Sequence, residues 1–138
     1  MIRQATPDDI AAIETLMQSE PGFWQEWWGD DVLERTLTAP STLAFVWEEG
    51  RQIIGFVCAH DLGFRGYLSE LIVAQPERSR GIARQLVRKI EHALGARGCA
   101  ILIADVWHDA AGFYRSLGWS EPDVQLLRRK LDLSALGS

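Results

Sequence analysis

Apolar residues recur along this chain with two different periods, and these periods predict its secondary structure. Helical spacing, with apolar residues three or four apart, covers Ile10 to Met17 and Ile82 to Leu94. Two shorter helices are expected over 30–38 and 109–117. Apolar and alternating runs predict strands over 2–6, 42–48, 52–60, 67–74, 100–106 and 126–131. The predicted order is β-α-α-β-β-β-α-β-α-β.

This order predicts an α+β fold in which helices flank a mixed central sheet. Strands 42–48 and 52–60 form an expected hairpin that turns at Glu49-Gly50. Strands 67–74 and 100–106 are joined through a helix, as in a βαβ unit, so they should be parallel. With 138 residues, the chain is expected to form a single domain over 1–138.

The composition excludes several classes of function. A formal net charge of −5 argues against general nucleic-acid binding, and no apolar run reaches the length of a membrane span. The N-terminus lacks the apolar core of a signal peptide, so a cytoplasmic location is expected by default. Cys58 and Cys99 lie in apolar runs and are expected to be buried, reduced thiols. The histidines do not cluster with cysteines at ligand spacing, so no metal site is expected.

One short basic stretch stands out against this acidic background. Arg78, Arg80 and Arg84 surround Gly81 between an apolar strand and a helix. The N-terminus of a helix presents unpaired N–H groups and a positive dipole end, which together form an anion site. The small residues Gly81 and Ala83 would let a ligand approach the backbone. The stretch therefore predicts a phosphate cradle, although neither GxxxxGK(S/T) nor GxGxxG is present.

Two motifs in the chain resemble those of a known family. Arg78-x-x-Gly81-x-Ala83 is similar to the acetyl-CoA pattern of the GNAT family of N-acetyltransferases, Gln/Arg-x-x-Gly-x-Gly/Ala. Residues 110–119 (AAGFYRSLGW) resemble its AxxFYxxxGF segment, and the order of elements agrees from about residue 2 to 131. The resemblance implies acetyl-CoA as co-substrate, with pantetheine lying between the strands 67–74 and 100–106.

The resemblance also implies roles for individual residues. Backbone groups of one strand would pair with pantetheine, namely those of Leu71, Ile72 and Val73. The pyrophosphate would be held by the backbone and arginines of the cradle, namely Arg78, Ser79, Arg80, Gly81, Ile82, Ala83 and Arg84. Tyr114 matches the family tyrosine that protonates the departing thiolate, and Glu70 is the expected base, with Asp105 and His108 as rivals. Trp107 stands where many members have an asparagine, so that contact to pantetheine must be lost or replaced.

The tryptophan-rich stretch around residues 23–31 admits two interpretations. Trp24, Trp27 and Trp28 fit one helical face and would simply pack in the core. Alternatively they line the acceptor pocket, which the family builds in this region. Between Glu20 and Glu49 there are seven acidic residues and one basic residue, Arg35, and such an acidic, aromatic edge would suit a cationic amine.

These observations lead to one functional prediction and two alternatives. The prediction is an acetyl-CoA-dependent N-acetyltransferase whose acceptor is a primary amine of a small molecule or peptide, attacking the thioester directly in a ternary complex. The alternatives are a non-catalytic acyl-CoA-binding or sensor domain and a protein-interaction module that uses the tryptophan-rich surface. The resemblance leaves a homodimer open, because dimers are common in the family. No nucleic-acid or membrane partner is expected.

Overall fold

The computed structural model describes residues 1–135, which fall into two compact units, Met1–Ala104 and the remainder from Asp105 onward. The first unit holds the sheet and the long helices. Within the described residues, no helix combines the length and apolar character that crossing a membrane requires.

A five-stranded mixed sheet forms the centre of the first unit. Its strands, in both chain and spatial order, are β1 (Ile2–Gln4), β2 (Thr42–Glu49), β3 (Gln52–Asp61), β4 (Gly66–Val73) and β5 (Leu102–Ile103). The pairs β1–β2, β2–β3 and β3–β4 are antiparallel, whereas β5 runs parallel to β4. The predicted α+β class with a mixed sheet is confirmed.

Two helices and a tryptophan-rich loop cover one face of this sheet. A single 3₁₀ turn, Pro7–Asp9, leads into α1 (Ile10–Gln18), and α2 spans Val32–Thr38. The core on this face consists of apolar side chains from both helices and three strands, namely Ile13, Leu16, Met17, Leu33, Ala44, Val46, Phe56, Cys58 and Ile72. These residues alternate along β2 and β3, as the period of a strand requires.

The opposite face of the sheet carries α3, which spans Ile82–Ala96. Its apolar stripe is fully buried, as the spacing predicts: Ile82, Leu86, Val87, Ile90 and Leu94. Two glycines of the sheet allow the close approach. A Cβ on Gly66 would lie 2.7 Å from Leu94 Cδ1, and one on Gly55 would lie 3.1 Å from Leu86 Cδ1. The helix therefore packs directly on the backbone of β3 and β4.

A partly buried ion pair joins β1 to the start of the first helix. Arg3 donates from Nη1 and Nη2 to the two carboxylate oxygens of Asp9, each at 2.8 Å, and it also contacts Glu48 on β2. The backbone N–H of Thr6 donates to Asp9 Oδ2 at 2.8 Å. Asp9 is only 7% exposed, so the Arg3 guanidinium compensates a carboxylate that has lost most of its water.

In its described part, the second unit contains one short helix and two 3₁₀ turns. A 3₁₀ turn, His108–Ala110, continues into α4 (Ala111–Ser116), and another 3₁₀ turn covers Leu133–Ala135. Gly118 has a φ of 97° just beyond α4, a left-handed conformation that is common for a glycine at the end of a helix.

The prediction of a final strand over 126–131 is wrong. No residue of this segment pairs with a strand of residues 1–135, and Leu126, Leu127 and Leu131 are 72%, 86% and 62% exposed. Three consecutive cations, residues 128–130, interrupt its apolar pattern, so neither face of a strand here would be apolar enough to bury.

Two other boundaries also differ from expectation. Only Leu102–Ile103 of the predicted strand 100–106 forms a ladder, because its pairing with β4 ends after Tyr67. The hairpin between β2 and β3 turns at Gly50-Arg51 rather than Glu49-Gly50. Both turn residues have positive φ, 56° and 69°, which matches the right-handed twist of a two-residue hairpin.

Candidate functional site

A β-bulge in β4 determines which side chains face the α1 and α2 side of the sheet. Cys58 pairs with Glu70 and Ala59 pairs with Leu68, so Ser69 is an extra residue in the ladder. An extra residue breaks the alternation of side chains between the two faces. Ser69 and Glu70 consequently line the same pocket although they are adjacent in sequence.

This pocket has a volume of about 160 Å³ and lies between the helices and the sheet of the first unit. One wall comes from α1, the tryptophan loop and α2, namely Met17, Trp28, Val32, Leu33 and Thr36. The other wall comes from β3 and the bulge, namely Phe56, Cys58, His60, Ser69 and Glu70. Most of the lining is apolar, and Glu70 is its one carboxylate.

A hydrogen-bonded chain of side chains crosses the strand side of the pocket. Ser69 Oγ donates to the carbonyl of Cys58 at 3.3 Å and lies 2.9 Å from His60 Nε2. On the other side of the ring, His60 Nδ1 lies 3.2 Å from Thr42 Oγ1. The three contacts are all satisfied when Thr42 donates to Nδ1 and the protonated Nε2 donates to Ser69. Burial lowers the pKa of His60, which favours this neutral form.

Neither cysteine is suited to act as a nucleophile. Both are free thiols and both are buried, as the sequence predicts. Burial raises the pKa of Cys58 to about 12, and it also raises the pKa of Cys99. Since the thiolate is the reactive form, Cys58 next to the pocket is chemically inert at neutral pH.

Within residues 1–135, one edge of β4 pairs with no strand beyond its short ladder with β5, and this part is called the open edge. That ladder joins Gly66 to Leu102 and Tyr67 to Ile103 and extends no further. Backbone groups alternate between the two edges of a strand, and Ala74 N–H donates to Ile54 of β3 at 2.9 Å. Leu71 and Val73 therefore present their N–H groups to the open edge, whereas Ile72 faces β3.

The end of β4 leads through a tight turn into the N-terminus of α3. Gly81 is the N-cap with a φ of 80°, and Ser79 has a φ of 71°, a conformation that non-glycine residues rarely adopt. The first helical hydrogen bond runs from Gln85 N–H to Gly81 C=O. A Cβ on Gly81 would meet nothing within 4 Å, so the space above the N-cap is open.

The three cradle arginines have different surroundings. Arg78 donates to the carbonyl of Val73 and to Glu20 Oε2, at 3.0 and 2.8 Å. Arg80 is held by Glu77 and by Glu49, the latter at 3.0 Å. Arg84 is exposed and forms no ion pair within residues 1–135.

The three tryptophans proposed for acceptor binding occupy different places. Trp28 lines the pocket. Trp24 contacts Trp28 edge-to-face, with ring centroids 5.1 Å apart, and packs against the core of this face. Trp27 is 51% exposed and does not line the pocket.

The remaining residues named from the sequence belong to the second unit. Tyr114 is buried in α4, and its ring packs edge-to-face against Phe113 and Trp119 at centroid distances of 5.2 and 5.3 Å. Asp105 lies at the start of this unit. Trp107 is 55% exposed and caps the 3₁₀ turn that begins at His108.

Three polar residues of the pocket, Thr36, His60 and Ser69, were not identified from the sequence. His60 has the same strand parity as Phe56 and Cys58, and this spacing could have indicated that it faces the same side. Ser69 carries no such signal, because its orientation depends on the bulge. In residues 1–135, no three His, Cys, Asp or Glu side chains lie close enough together to hold a metal ion.

A mixed sheet with helices on both faces is the fold of the acetyltransferases that the two motifs resemble. The model of the Acetyltransferase (GNAT) family matches residues 10–119. The chain therefore belongs to the GNAT family.

Solved structures agree with this fold at low sequence identity. The aminoglycoside acetyltransferase AAC(6')-Iy, in complex with the bisubstrate analogue CoA-S-monomethyl-acetylneamine, is 22% identical with a TM-score of 0.79, covering 96% of this chain and 98% of that one. The 6'-N-acetyltransferase AAC(6')-IG from Acinetobacter haemolyticus is 20% identical with a TM-score of 0.74, covering 96% and 99%. A transcriptional regulator from Bacillus halodurans C-125 is 18% identical with a TM-score of 0.80, covering 95% and 99%. Likenesses at these identities establish the fold.

Proposed function

We propose that this protein is an acetyl-CoA-dependent N-acetyltransferase that acts on a primary amine through direct attack in a ternary complex, with residues 1–138 working as one domain. The observation that carries the proposal is the open edge of β4, which is connected through one tight turn to the N-terminus of α3. An extended thioester arm can pair with a strand edge, and a pyrophosphate can bind at a helix N-terminus. In the described chain, the strand edge and the helix N-terminus follow each other along residues 71–81 and the first turn of α3.

Leu71 and Val73 are the residues assigned to the arm. Their outward N–H groups would donate to the amide carbonyls of pantetheine. One of these groups would also donate to the thioester carbonyl, where negative charge develops during attack. Ile72 would contribute through its buried side chain, because its backbone groups face β3.

The cradle residues are assigned to the pyrophosphate. The N–H groups of Gly81, Ile82 and Ala83 would donate to its oxygens, and the turn at Ser79 would bring the backbone into position. Arg84 would add a charge-assisted hydrogen bond. Arg78 and Arg80, which are already held by carboxylates, would mainly fix the shape of the turn.

Glu70 is the assigned base. It follows the bulge and lines the pocket, one residue before the strand edge given to the thioester arm. A carboxylate there would take a proton from the acceptor ammonium, directly or through a water molecule, so that the neutral amine attacks the thioester. Tyr114 is the assigned acid, because its phenol would return a proton to the thiolate of CoA. Cys58 would remain a spectator, since its high pKa keeps the thiol protonated.

The test is a calorimetric titration with acetyl-CoA, followed by an assay of CoA release with a panel of primary amines. Saturable binding and amine-dependent release are expected. Glu70→Gln should lower kcat while the affinity for acetyl-CoA is retained, and Glu34→Gln, on the exposed side of α2, is the control. A folded protein that does not bind acetyl-CoA would contradict the proposal.

A further inference from the structure

The pocket beside Glu70 carries information about the acceptor amine, through its size, its lining and its charge. This inference rests on the proposed function, because it identifies the acceptor class of the same site. The pocket lies entirely within the first unit and has a volume of about 160 Å³. A protein cavity of about 150 Å³ accommodates a benzene molecule. The pocket therefore matches one small ring or a short branched chain.

The lining favours an apolar body with a single polar end. Met17, Val32, Leu33 and Phe56 form the apolar wall, and Trp28 adds an aromatic surface. If a ligand placed hydroxyl groups against this wall, those groups would lose their hydrogen bonds to water without gaining others, which costs binding free energy. Apart from the Thr36 hydroxyl and the Trp28 indole, the polar side chains of the pocket, from His60 to Glu70, lie on the strand side. A ligand would therefore place its polar end there and its apolar body against the helices.

The charge of the pocket fits one cation. Glu70 is the one carboxylate of the lining, and the neutral His60 and Ser69 beside it are already engaged with each other. A monoamine would place its ammonium near Glu70. A polycation would leave its other ammonium groups against apolar side chains or in solvent.

The acid-rich segment between residues 20 and 49 does not supply the additional negative charge that a polycationic acceptor would need. Four of its seven carboxylates are paired with arginines: Glu20 with Arg78, Asp31 with Arg35, Glu48 with Arg3, and Glu49 with Arg80. Two of these pairs hold the phosphate-cradle turn. The segment is therefore a much weaker attractor of polycations than its sequence suggests.

We infer that the acceptor is a compact primary monoamine with an apolar body of about the size of a benzene ring, bound with its ammonium toward Glu70 and its body against α1 and α2. Aminoglycosides, which are acceptors named for two similar structures, differ from this class in both size and charge.

The experiment compares amines of different size and charge under saturating acetyl-CoA. The probes are 2-phenylethylamine, n-butylamine, spermidine and neamine. The kcat/KM for 2-phenylethylamine should exceed that for spermidine and for neamine by about tenfold or more, because only its body is buried. A preference for neamine or spermidine would overturn the inference while leaving the proposed acetyltransferase activity intact.

A matched pair of variants on α2 tests the location. Thr36 lines the pocket, whereas Thr38, two residues later on the same helix, is exposed. Thr36→Phe should raise the KM for 2-phenylethylamine about tenfold, and Thr38→Phe should leave it unchanged, with equal acetyl-CoA affinity in both. Equal KM values in the two variants would contradict the inference.

Binding without chemistry separates this inference from the proposed function. 2-Phenylethylamine is titrated calorimetrically into protein saturated with CoA. Binding that Thr36→Phe abolishes supports the pocket assignment even if no amine is acetylated, a result that would by itself overturn the enzymatic proposal. Absence of binding by the folded, CoA-saturated wild-type protein overturns the pocket assignment.

Discussion

His60 and Ser69 are joined across β3 and β4 by a contact of 2.9 Å between Nε2 and Oγ. The contact exists because a bulge turns Ser69 toward the face on which His60 already lies. It fixes the edge of the pocket next to Glu70 and holds the imidazole between two hydroxyl groups. The ring is thereby kept in a neutral, oriented state on the strand side of the pocket.

The stability of the protein should depend on pH through His60. Burial lowers the pKa of His60 below its ordinary value of 6.5, so the ring takes up a proton more readily in the unfolded chain than in the folded one. The stabilisation that the neutral ring contributes is complete above pH 6.5 and is lost as the pH falls through the folded-state pKa. The free energy of unfolding in urea should therefore decrease below pH 6.5 for the wild type and decrease less for His60→Gln.

The control for this experiment is His92→Gln, because His92 lies on the exposed face of α3. This variant should retain the pH dependence of the wild type. If His60→Gln and the wild type lose the same free energy of unfolding between pH 7.5 and 5.5, the contribution assigned to His60 is absent.

The affinity for acetyl-CoA should depend more on Arg84 than on Arg80. Arg80 already has two carboxylate partners, which compete with a phosphate, whereas Arg84 has no ion-pair partner within residues 1–135. Removing a charge-assisted hydrogen bond costs about 1.5–3 kcal/mol, so Arg84→Ala should weaken binding by about tenfold or more in calorimetric titration. Arg97→Ala, at the opposite end of α3, should bind acetyl-CoA like the wild type. A larger loss in Arg80→Ala than in Arg84→Ala would contradict this assignment.

Asp9 should be a major determinant of stability. Its carboxylate accepts two hydrogen bonds from Arg3 and one from the Thr6 backbone while being almost fully buried. Asp9→Asn leaves Glu48 as the remaining carboxylate partner of Arg3 and removes the charge-assisted hydrogen bonds to Asp9, at a cost of about 2 kcal/mol of unfolding free energy. Asp31→Asn, in an exposed pair with Arg35, should cost about 0.5 kcal/mol or less.

The same carboxylate predicts an acid-labile contribution. Hydrogen bonds from Arg3 hold the pKa of Asp9 below its ordinary value of 3.8. The stabilisation that the ionised Asp9 carboxylate contributes is present above pH 3.8, and it is lost as the pH falls through the lower pKa of the folded state. Urea titrations between pH 5 and 2 should show a steeper loss for the wild type than for Asp9→Asn. If the unfolding free energies of the wild type and Asp9→Asn change equally with pH, the acid-labile contribution assigned to Asp9 is absent.

The parts of the fold that sequence predicts well are those governed by local periodicity. The stripe from Ile82 to Leu94 is buried as its spacing requires, and the strands from 42 to 74 begin and end within two residues of their expected positions. The cradle motif also falls where expected, at a strand–turn–helix junction. Each of these features depends on residues that are close in the chain.

The features that sequence does not predict depend on distant partners. The bulge at Ser69 follows from how β4 meets β3, and the short β5 follows from where its pairing with β4 stops. The arginine partners of Glu20 and Glu49 lie 58 and 31 residues away, so a count of local acids overestimates the negative charge of that region. The exposed segment 126–131 shows that an apolar run interrupted by three consecutive cations does not form a strand here.

Tyr114→Phe should separate an enzyme from a non-catalytic acyl-CoA-binding domain. The ring of Tyr114 packs between Phe113 and Trp119, and phenylalanine preserves these ring contacts while it removes the hydroxyl. If the phenol protonates the thiolate, kcat should fall by about 10² to 10⁴, the range for loss of a positioned acid, with the affinity for acetyl-CoA unchanged. Tyr67→Phe, which alters the other tyrosine of the chain, is the matched control and should retain kcat. Equal turnover in Tyr114→Phe and the wild type would remove Tyr114 from the mechanism, and equal absence of turnover in both, with acetyl-CoA still bound, would favour the acyl-CoA-binding domain.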